Sequence, residues 1–378
     1  MGNIDRVIRK IKQKGIDAFL VTSPADLFYI TGREIDCCWA VVSHCFSDGI
    51  KIISPEIMYE QAKFFLRGLR IYGGRDNIKT LAGLLERHSE IRKVGIDTER
   101  VSVEIFSKIQ KTHARVFWKG LPGFISDIRM VKSADEIQTI RVSCMMASEV
   151  FERIKGFIRP GLKEREVANK IRQLFMARNV EPSFAPIVAS GINSAFPHHI
   201  TSGRAIREGE PVIIDIGCRY NGYCSDLTKT IFLGKMNRSY KKIYNTVRRA
   251  QKECIAAIKP GVRVQSIDML ARRIIGKAGL GGYFVHSTGH GVGIEVHEPP
   301  RLAGNDETVL EPGMVITVEP GVYVPGKGGV RIEDVVLVTR TGNEVLTGTS
   351  RARPTVRLDK LRSANGFVKC QDLTPLIA

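Results

Sequence analysis

Residues 286–300 read HSTGHGVGIEVHEPP, and three of the chain's 8 histidines fall inside this stretch, threaded between glycines and two acids. His198 and His199 stand side by side further upstream. Imidazoles and carboxylates set among residues too small to hold the backbone away mark either a site or an irregular loop. A phosphate-binding loop is a poor fit. Gly289, Gly291 and Gly293 resemble a nucleotide loop only superficially, since no strand–loop–helix pattern follows and a Walker lysine is absent.

Outward from this stretch, acids recur in apolar segments. Residues 211–216, PVIIDI, read as a buried strand with Asp215 inside it. The turn Tyr220-Asn221-Gly222 follows, and Asn-Gly tolerates the positive φ of a tight hairpin. Residues 224–233, CSDLTKTIFL, read as the returning strand and carry Asp226. Downstream, 314–319 (MVITVE) ends on Glu319 and 330–333 (VRIE) on Glu333, with further strands at 321–324 and 334–338. A carboxylate among apolar strand residues is costly unless it is hydrogen-bonded, paired or on a metal. One such acid reads as structural. Four, with a histidine, form the donor set of a two-metal hydrolytic site, in which ions roughly 3.5–4 Å apart share and acidify a water. The oxygen-dominated shell suits Mn²⁺, with Co²⁺ or Zn²⁺ as substitutes. The remaining histidines would move protons or hold the intermediate. Cys218 and Cys224 lie close in sequence but read as small buried residues.

The rest of the chain frames this region. Ile4, Val7, Ile8 and Ile11 repeat with a helical period. Strand patterns at 17–21, 40–42, 50–53, 69–72 and 93–97, with a helix at 78–87, predict a small α/β domain over 1–125. Ser133 and Glu136 form a capping box that opens a helix to about residue 158. A break at Pro160-Gly161 leads into a second helix over 162–178. The break has an echo, since IRPGL at 158–162 returns as IKPGV at 258–262, again after one amphipathic helix and before another. The repeat predicts an α+β catalytic domain over 126–350, built from two similar halves with a curved antiparallel sheet backed by helices. Residues 351–378 form a basic tail of no assigned role.

Composition excludes several classes. With 43% hydrophobic and 25% charged residues, the 378-residue chain is an ordinary globular protein. Its formal charge of +18 favours anions at long range. No zinc finger, long basic run or aromatic–basic alternation accompanies it, so a specific nucleic-acid partner is not expected. Eight scattered cysteines without CxxC spacing argue against a disulfide scaffold and for the reducing cytoplasm. The N-terminus lacks the apolar core of a signal peptide, and Arg6 stands where a myristoylation signal needs Ser or Thr. No uncharged apolar run is long enough for a membrane span.

The motifs together resemble the aminopeptidase P and prolidase group of metal-dependent "pita-bread" peptidases, which also include methionine aminopeptidase. The likeness runs from about residue 4 to 347: DIG at 215–217, SDLT at 225–228, the histidine stretch, EPG at 319–321 and RIED at 331–334. SPADLFYITG at 23–32 resembles the family's first domain. The resemblance implies that Asp215 holds one ion, that Asp226 and Glu333 bridge the two, and that His290 and Glu319 complete the other ion's ligand set. It places His198 near the leaving group, His297 at the scissile carbonyl, His286 on the pocket wall and Arg331 behind Glu333. Glu319 would also serve as general base. His199 reads as a bystander, Glu298 as a shaper of its loop and Asp334 as a strand-end hydrogen-bonder.

The chain departs from the family pattern at Lys229, where arginine is common, and at Arg33, where an aromatic is frequent. The implied reaction is hydrolysis of the first peptide bond before proline by a hydroxide bridging the two ions, in a homodimer. An aminopeptidase is the first expectation, favoured by chain length and the small first domain. A dipeptidase with the same five ligands is the alternative. The intact ligand set disfavours a metal-free creatinase or a non-catalytic binding protein, and the first domain disfavours methionine aminopeptidase.

Overall fold

The computed structural model describes residues 2–112 and 114–348, so the tail 351–378 lies outside them. The described residues up to Thr347 pack as one compact unit.

The first domain is a six-stranded sheet in the order Ile71–Gly74, Ile50–Pro55, Trp39–Ser43, Ala18–Val21, Lys93–Ile96, Phe117–Gly120. Its central strand, AFLV, is buried at every residue, which matches a near-continuous apolar run covered on both faces. Two antiparallel pairings bind Ala18–Val21 to Trp39–Ser43 and that strand to Ile50–Pro55; the outer pairings are parallel. Val7 and Ile11 of the first helix, Asn3–Gln13, seal one face. Phe28, in the helix Pro24–Thr31 of this domain, and Tyr223 of the next meet edge-on at 5.9 Å.

The second domain shows the expected two halves. Helices Ala134–Phe157 and Glu164–Met176 form one pair, and Arg238–Ala257 and Val264–Lys277 the other. The sequence echo is a structural one. Gly161 N–H donates to the Ile206 carbonyl at 2.9 Å, and Gly261 N–H donates to Leu310 at 2.9 Å. Lys163 then bridges to Ala205 as Arg263 does to Val309. The same Pro-Gly break therefore lays each second helix against a returning extended segment.

The strands between the helix pairs form several small sheets. Leu227–Phe232, Pro211–Ile216 and Ile187–Ser190 make an antiparallel set. Glu298–Leu302, Gly289–Gly291, Val315–Val318, Asp334–Val338 and Asn343–Val345 make a second. Gly321–Val324 pairs with Gly328–Arg331. Two strand expectations need correction. Segment 224–233 is not one strand: Tyr223–Cys224 ends when the Cys224 N–H turns away to the Gly293 carbonyl at 2.7 Å, and Leu227–Phe232 begins after it. Strand Gly328–Arg331 stops before Glu333. Of the four acids, only Asp215 sits within a strand, while Asp226, Glu319 and Glu333 lie just beyond strand ends.

Candidate active site

Backbone pairing brings these strand ends together. Asp215 faces Thr228 across the sheet. The Thr228 carbonyl accepts the Glu333 N–H at 2.9 Å. Asp334, the next residue, pairs with Val318. Glu319 follows Val318 and donates its N–H to the Thr288 carbonyl at 2.7 Å, two residues before His290. His290 is tied back by its own N–H to Thr317 Oγ1 at 3.0 Å. Asp215 and Glu333, more than a hundred positions apart in sequence, are thus brought together through backbone pairing around Thr228.

All nine residues expected at the site, His198, Asp215, Asp226, His286, His290, His297, Glu319, Arg331 and Glu333, line one cavity of about 970 Å³. Asp226, His290 and Glu333 each offer a ligand atom within 4.8 Å of the others, and all three are buried. His290 Nε2 lies 3.4 Å from Glu319 Oε1 and 3.7 Å from Asp226 Oδ2. Its Nδ1 is 3.0 Å from the Gly291 carbonyl, so Nδ1 carries the proton and Nε2 turns its lone pair to the acids.

The donor set fits divalent cations. Asp215 Oδ1 and Glu333 Oε1 are buried without a hydrogen-bond partner, an expensive state for carboxylate oxygens. Burial pushes the Asp226 carboxyl well above its usual range, and the charges of Glu333, Asp215 and Glu319 add to this. Burial, then Glu319 and Asp215, raises Glu333 in the same direction. Burial pushes Glu319 up to about 7. A cluster of acids that resists holding its own charge is what a cation would relieve. Burial also drives His290 down to about 3, which keeps it neutral and able to ligate.

Arg331 does not sit simply behind Glu333, as the resemblance implies. Its guanidinium binds Asp215 Oδ2 at 2.6 Å, the Tyr323 hydroxyl at 2.8 Å, Thr228 Oγ1 at 3.1 Å and the Pro197 carbonyl at 3.1 Å. It reaches Glu333 only through Thr228, whose hydroxyl donates to Glu333 Oε2 at 2.8 Å. Four fixed donations use the planar fork that lysine lacks. At the departure site, Lys229 Nζ still makes two bonds, to Asp334 Oδ1 at 2.7 Å and to the Glu333 carbonyl at 2.9 Å.

The histidines divide by surroundings. His286 Nδ1 faces the Ser287 carbonyl at 2.8 Å and its Nε2 faces the Tyr323 hydroxyl at 2.9 Å. Nδ1–H therefore donates, and the Tyr323 hydroxyl donates to Nε2 while accepting from Arg331. His297 packs edge-on against His290, with ring centroids 4.3 Å apart. His199 is no bystander, since its Nε2 lies 2.9 Å from the buried Glu164 carboxylate. Glu298 is buried on Arg129 and on Lys132 Nζ at 3.1 Å, and it holds its loop as expected. Asp334 accepts from Gln251 at 2.7 Å and Thr347 at 2.8 Å besides Lys229. Cys218 and Cys224 are buried thiols whose pKa burial pushes up, and neither lines the cavity. Tyr323, Thr228, Glu164 and the cavity arginines Arg172 and Arg301 escaped the sequence reading, because only folding shows what a lone hydroxyl or surface charge will meet.

The profile of "Metallopeptidase family M24" matches residues 138–340, and that of "Creatinase/Prolidase N-terminal domain" matches residues 3–131. The chain belongs to metallopeptidase family M24. This M24 chain is 36% identical over 357 residues to the Xaa-Pro dipeptidase of Pyrococcus furiosus, covering 92% of itself and 98% of that protein. The solved Xaa-Pro dipeptidase from Bacillus anthracis superposes with a TM-score of 0.86 at 36% identity, over 93% of this chain and 98% of that one. An X-Pro aminopeptidase from Thermotoga maritima gives a TM-score of 0.85 at 31% identity, over 93% and 99%. The M24 assignment makes the two-domain architecture a small creatinase-like α/β domain followed by an α+β pita-bread domain. Among the described residues, no helix is long and apolar enough to cross a membrane.

Proposed function

We propose that this metallopeptidase splits Xaa-Pro dipeptides with two divalent cations, Mn²⁺ being the working ion. The observation that carries the reading is the convergence of four carboxylates and the His290 lone pair on one cavity, with two carboxylate oxygens left unpartnered. Asp215, Asp226, His290, Glu319 and Glu333 would hold the ions, and Arg331 alone offsets the acids among the cavity residues bonded to them. Bound cations would polarise the scissile carbonyl and acidify the attacking water. Glu319 takes the proton of that water and returns it to the proline nitrogen, which has no N–H of its own and must leave as an amine. His297 donates to the developing oxyanion, and His198 attends the leaving side. Tyr323 and Arg331 hold His286 and Asp215 in place.

Two features support a proline dipeptide. Phe184, Pro186, Ile187, Pro197 and Ile200 give the cavity an apolar wall suited to a pyrrolidine ring. Arg172 and Arg301 line the same cavity and can meet a free C-terminal carboxylate, which a dipeptide always brings close to the scissile bond. The dipeptidases among the relatives favour this over the aminopeptidase expected from sequence. The aminopeptidase reading keeps the support of the Thermotoga maritima structure. A homodimer in the cytoplasm completes the proposal; the seven described cysteines are free thiols, as a reducing compartment leaves them.

The experiment is hydrolysis of Gly-Pro and of a Gly-Pro-X tripeptide by metal-stripped protein, with and without Mn²⁺, beside His290→Ala. We expect Mn²⁺-dependent cleavage of Gly-Pro, loss of activity and of bound metal in the variant, and little turnover of the tripeptide. Faster turnover of the tripeptide would restore the aminopeptidase. No turnover of either peptide by metal-loaded protein would remove the proline specificity.

A further inference from the structure

We propose that Glu164 and His199 form a positioning pair that sets His198 in the cavity, an inference that rests on the peptidase reading above. Glu164 opens the helix Glu164–Met176, and its side chain is fully buried. Its carboxylate gathers one segment of chain. Oε1 accepts from Ser190 N–H at 2.7 Å, Ser190 Oγ at 2.8 Å and Asn193 Nδ2 at 3.0 Å. Oε2 accepts from Ser202 N–H at 3.1 Å, Ser202 Oγ at 2.7 Å and His199 Nε2 at 2.9 Å. An ionised carboxylate can only accept, so His199 presents Nε2–H to it.

The segment so gathered, residues 190–202, carries His198. Both neighbours of His198 are pinned, on opposite sides. The Pro197 carbonyl is held by Arg331, whose guanidinium also binds Asp215. The His199 ring is held by Glu164. His198 itself is exposed and lines the cavity. Backbone pinned on both sides of a residue restricts its φ and ψ, so the His198 ring is offered to the cavity from a fixed base. A loop needing only to be closed would not sink an ionised carboxylate to do it, since that burial is costly. The Arg331 end ties the same segment to the ligand cluster, so the His198 loop and Asp215 keep one relative geometry.

The test is a double-mutant cycle on Gly-Pro hydrolysis in Mn²⁺, with metal content and melting temperature measured for each protein. His199→Leu fills the ring's volume without its donor. We expect it to lower kcat by roughly ten- to a hundredfold, the cost of a displacement of about 1 Å, with bound metal unchanged. His199→Gln, whose amide can still donate to Glu164, should restore most of the rate, and it keeps the test decisive if the leucine variant melts early. In a His198→Ala background, His199→Leu should cost nothing more, because the group it positions is gone. Equal losses in both backgrounds, or no loss in the native one, would overturn the inference. Full activity in His198→Ala would overturn it through His198, and a native protein inactive on every Xaa-Pro peptide would sink the peptidase reading first.

Discussion

At the scale of the residue, the site chemistry is written in side-chain types, but protonation belongs to surroundings. His286 shows this. Burial drives its pKa down to about 4, and the charges of Arg331 and Arg272 push the same way. The unfolded chain would hold the same ring near its ordinary value of about 6.5. Between those values the unfolded state binds the extra proton, so this contribution to stability is complete above about pH 6.5 and is lost as pH falls toward 4. Metal-free native protein should therefore lose melting temperature from about pH 7 to pH 5 more steeply than His286→Gln, which cannot titrate. Parallel slopes for the two proteins would show that the ring is not held neutral. The four acids were legible because a carboxylate among apolar strand residues demands an explanation on sight, whereas the places of His198, His286, His297 and Arg331 came from the resemblance to the family. Tyr323 and Thr228 were not legible, because a hydroxyl in a strand is ordinary until its partners are known.

Elements were legible where they carry apolar periodicity. The helix Ala134–Phe157 begins at the Ser133–Glu136 capping box that the sequence announces, with Ser133 N–H donating to Glu136 Oε2 at 2.8 Å. Asn221 and Gly222 take φ of 46° and 81° at the hairpin, as an Asn-Gly turn requires. The strands Gly289–Gly291 and Glu298–Leu302 were not legible, since GHG and EPPRL have little β-propensity and become strands only by what lies beside them. The glycine at 291 answers to that closeness: a Cβ there would lie 2.2 Å from the Pro299 carbonyl oxygen. Gly291→Ala should push the two strands apart, displace His290 and cost roughly 1–3 kcal/mol or more. Urea unfolding together with metal content checks this; native stability with full metal binding would show that the strands can yield.

For the whole molecule, the coupling of the two domains runs through buried charge. Arg129 binds Asp26 at 2.8 Å in the first domain, and Glu298 and Glu295 (3.0 Å) in the histidine loop. Arg100 grips Glu295 with two bonds of 2.7 Å. Ile294 of the same loop packs into the first domain's core. The loop that carries His297 is therefore seated partly on the first domain. Arg129→Leu would strand Asp26 and Glu298 in the interior, a loss of about 3–5 kcal/mol when nothing replaces the cation. Denaturant titration measures it, and a change under about 1 kcal/mol would show that Lys132 and Arg100 suffice.

From the sequence alone come the α+β class, the two halves and the donor set, because apolar period, turn chemistry and the presence of acids where burial forbids them are local properties. Which acid would rest on Arg331, that His199 would serve Glu164, and that the first domain would hold the histidine loop were decided only by the tertiary structure. Hydrogen bonds and ion pairs between residues 35 to 195 positions apart follow from strand register and domain packing, and no local pattern encodes them.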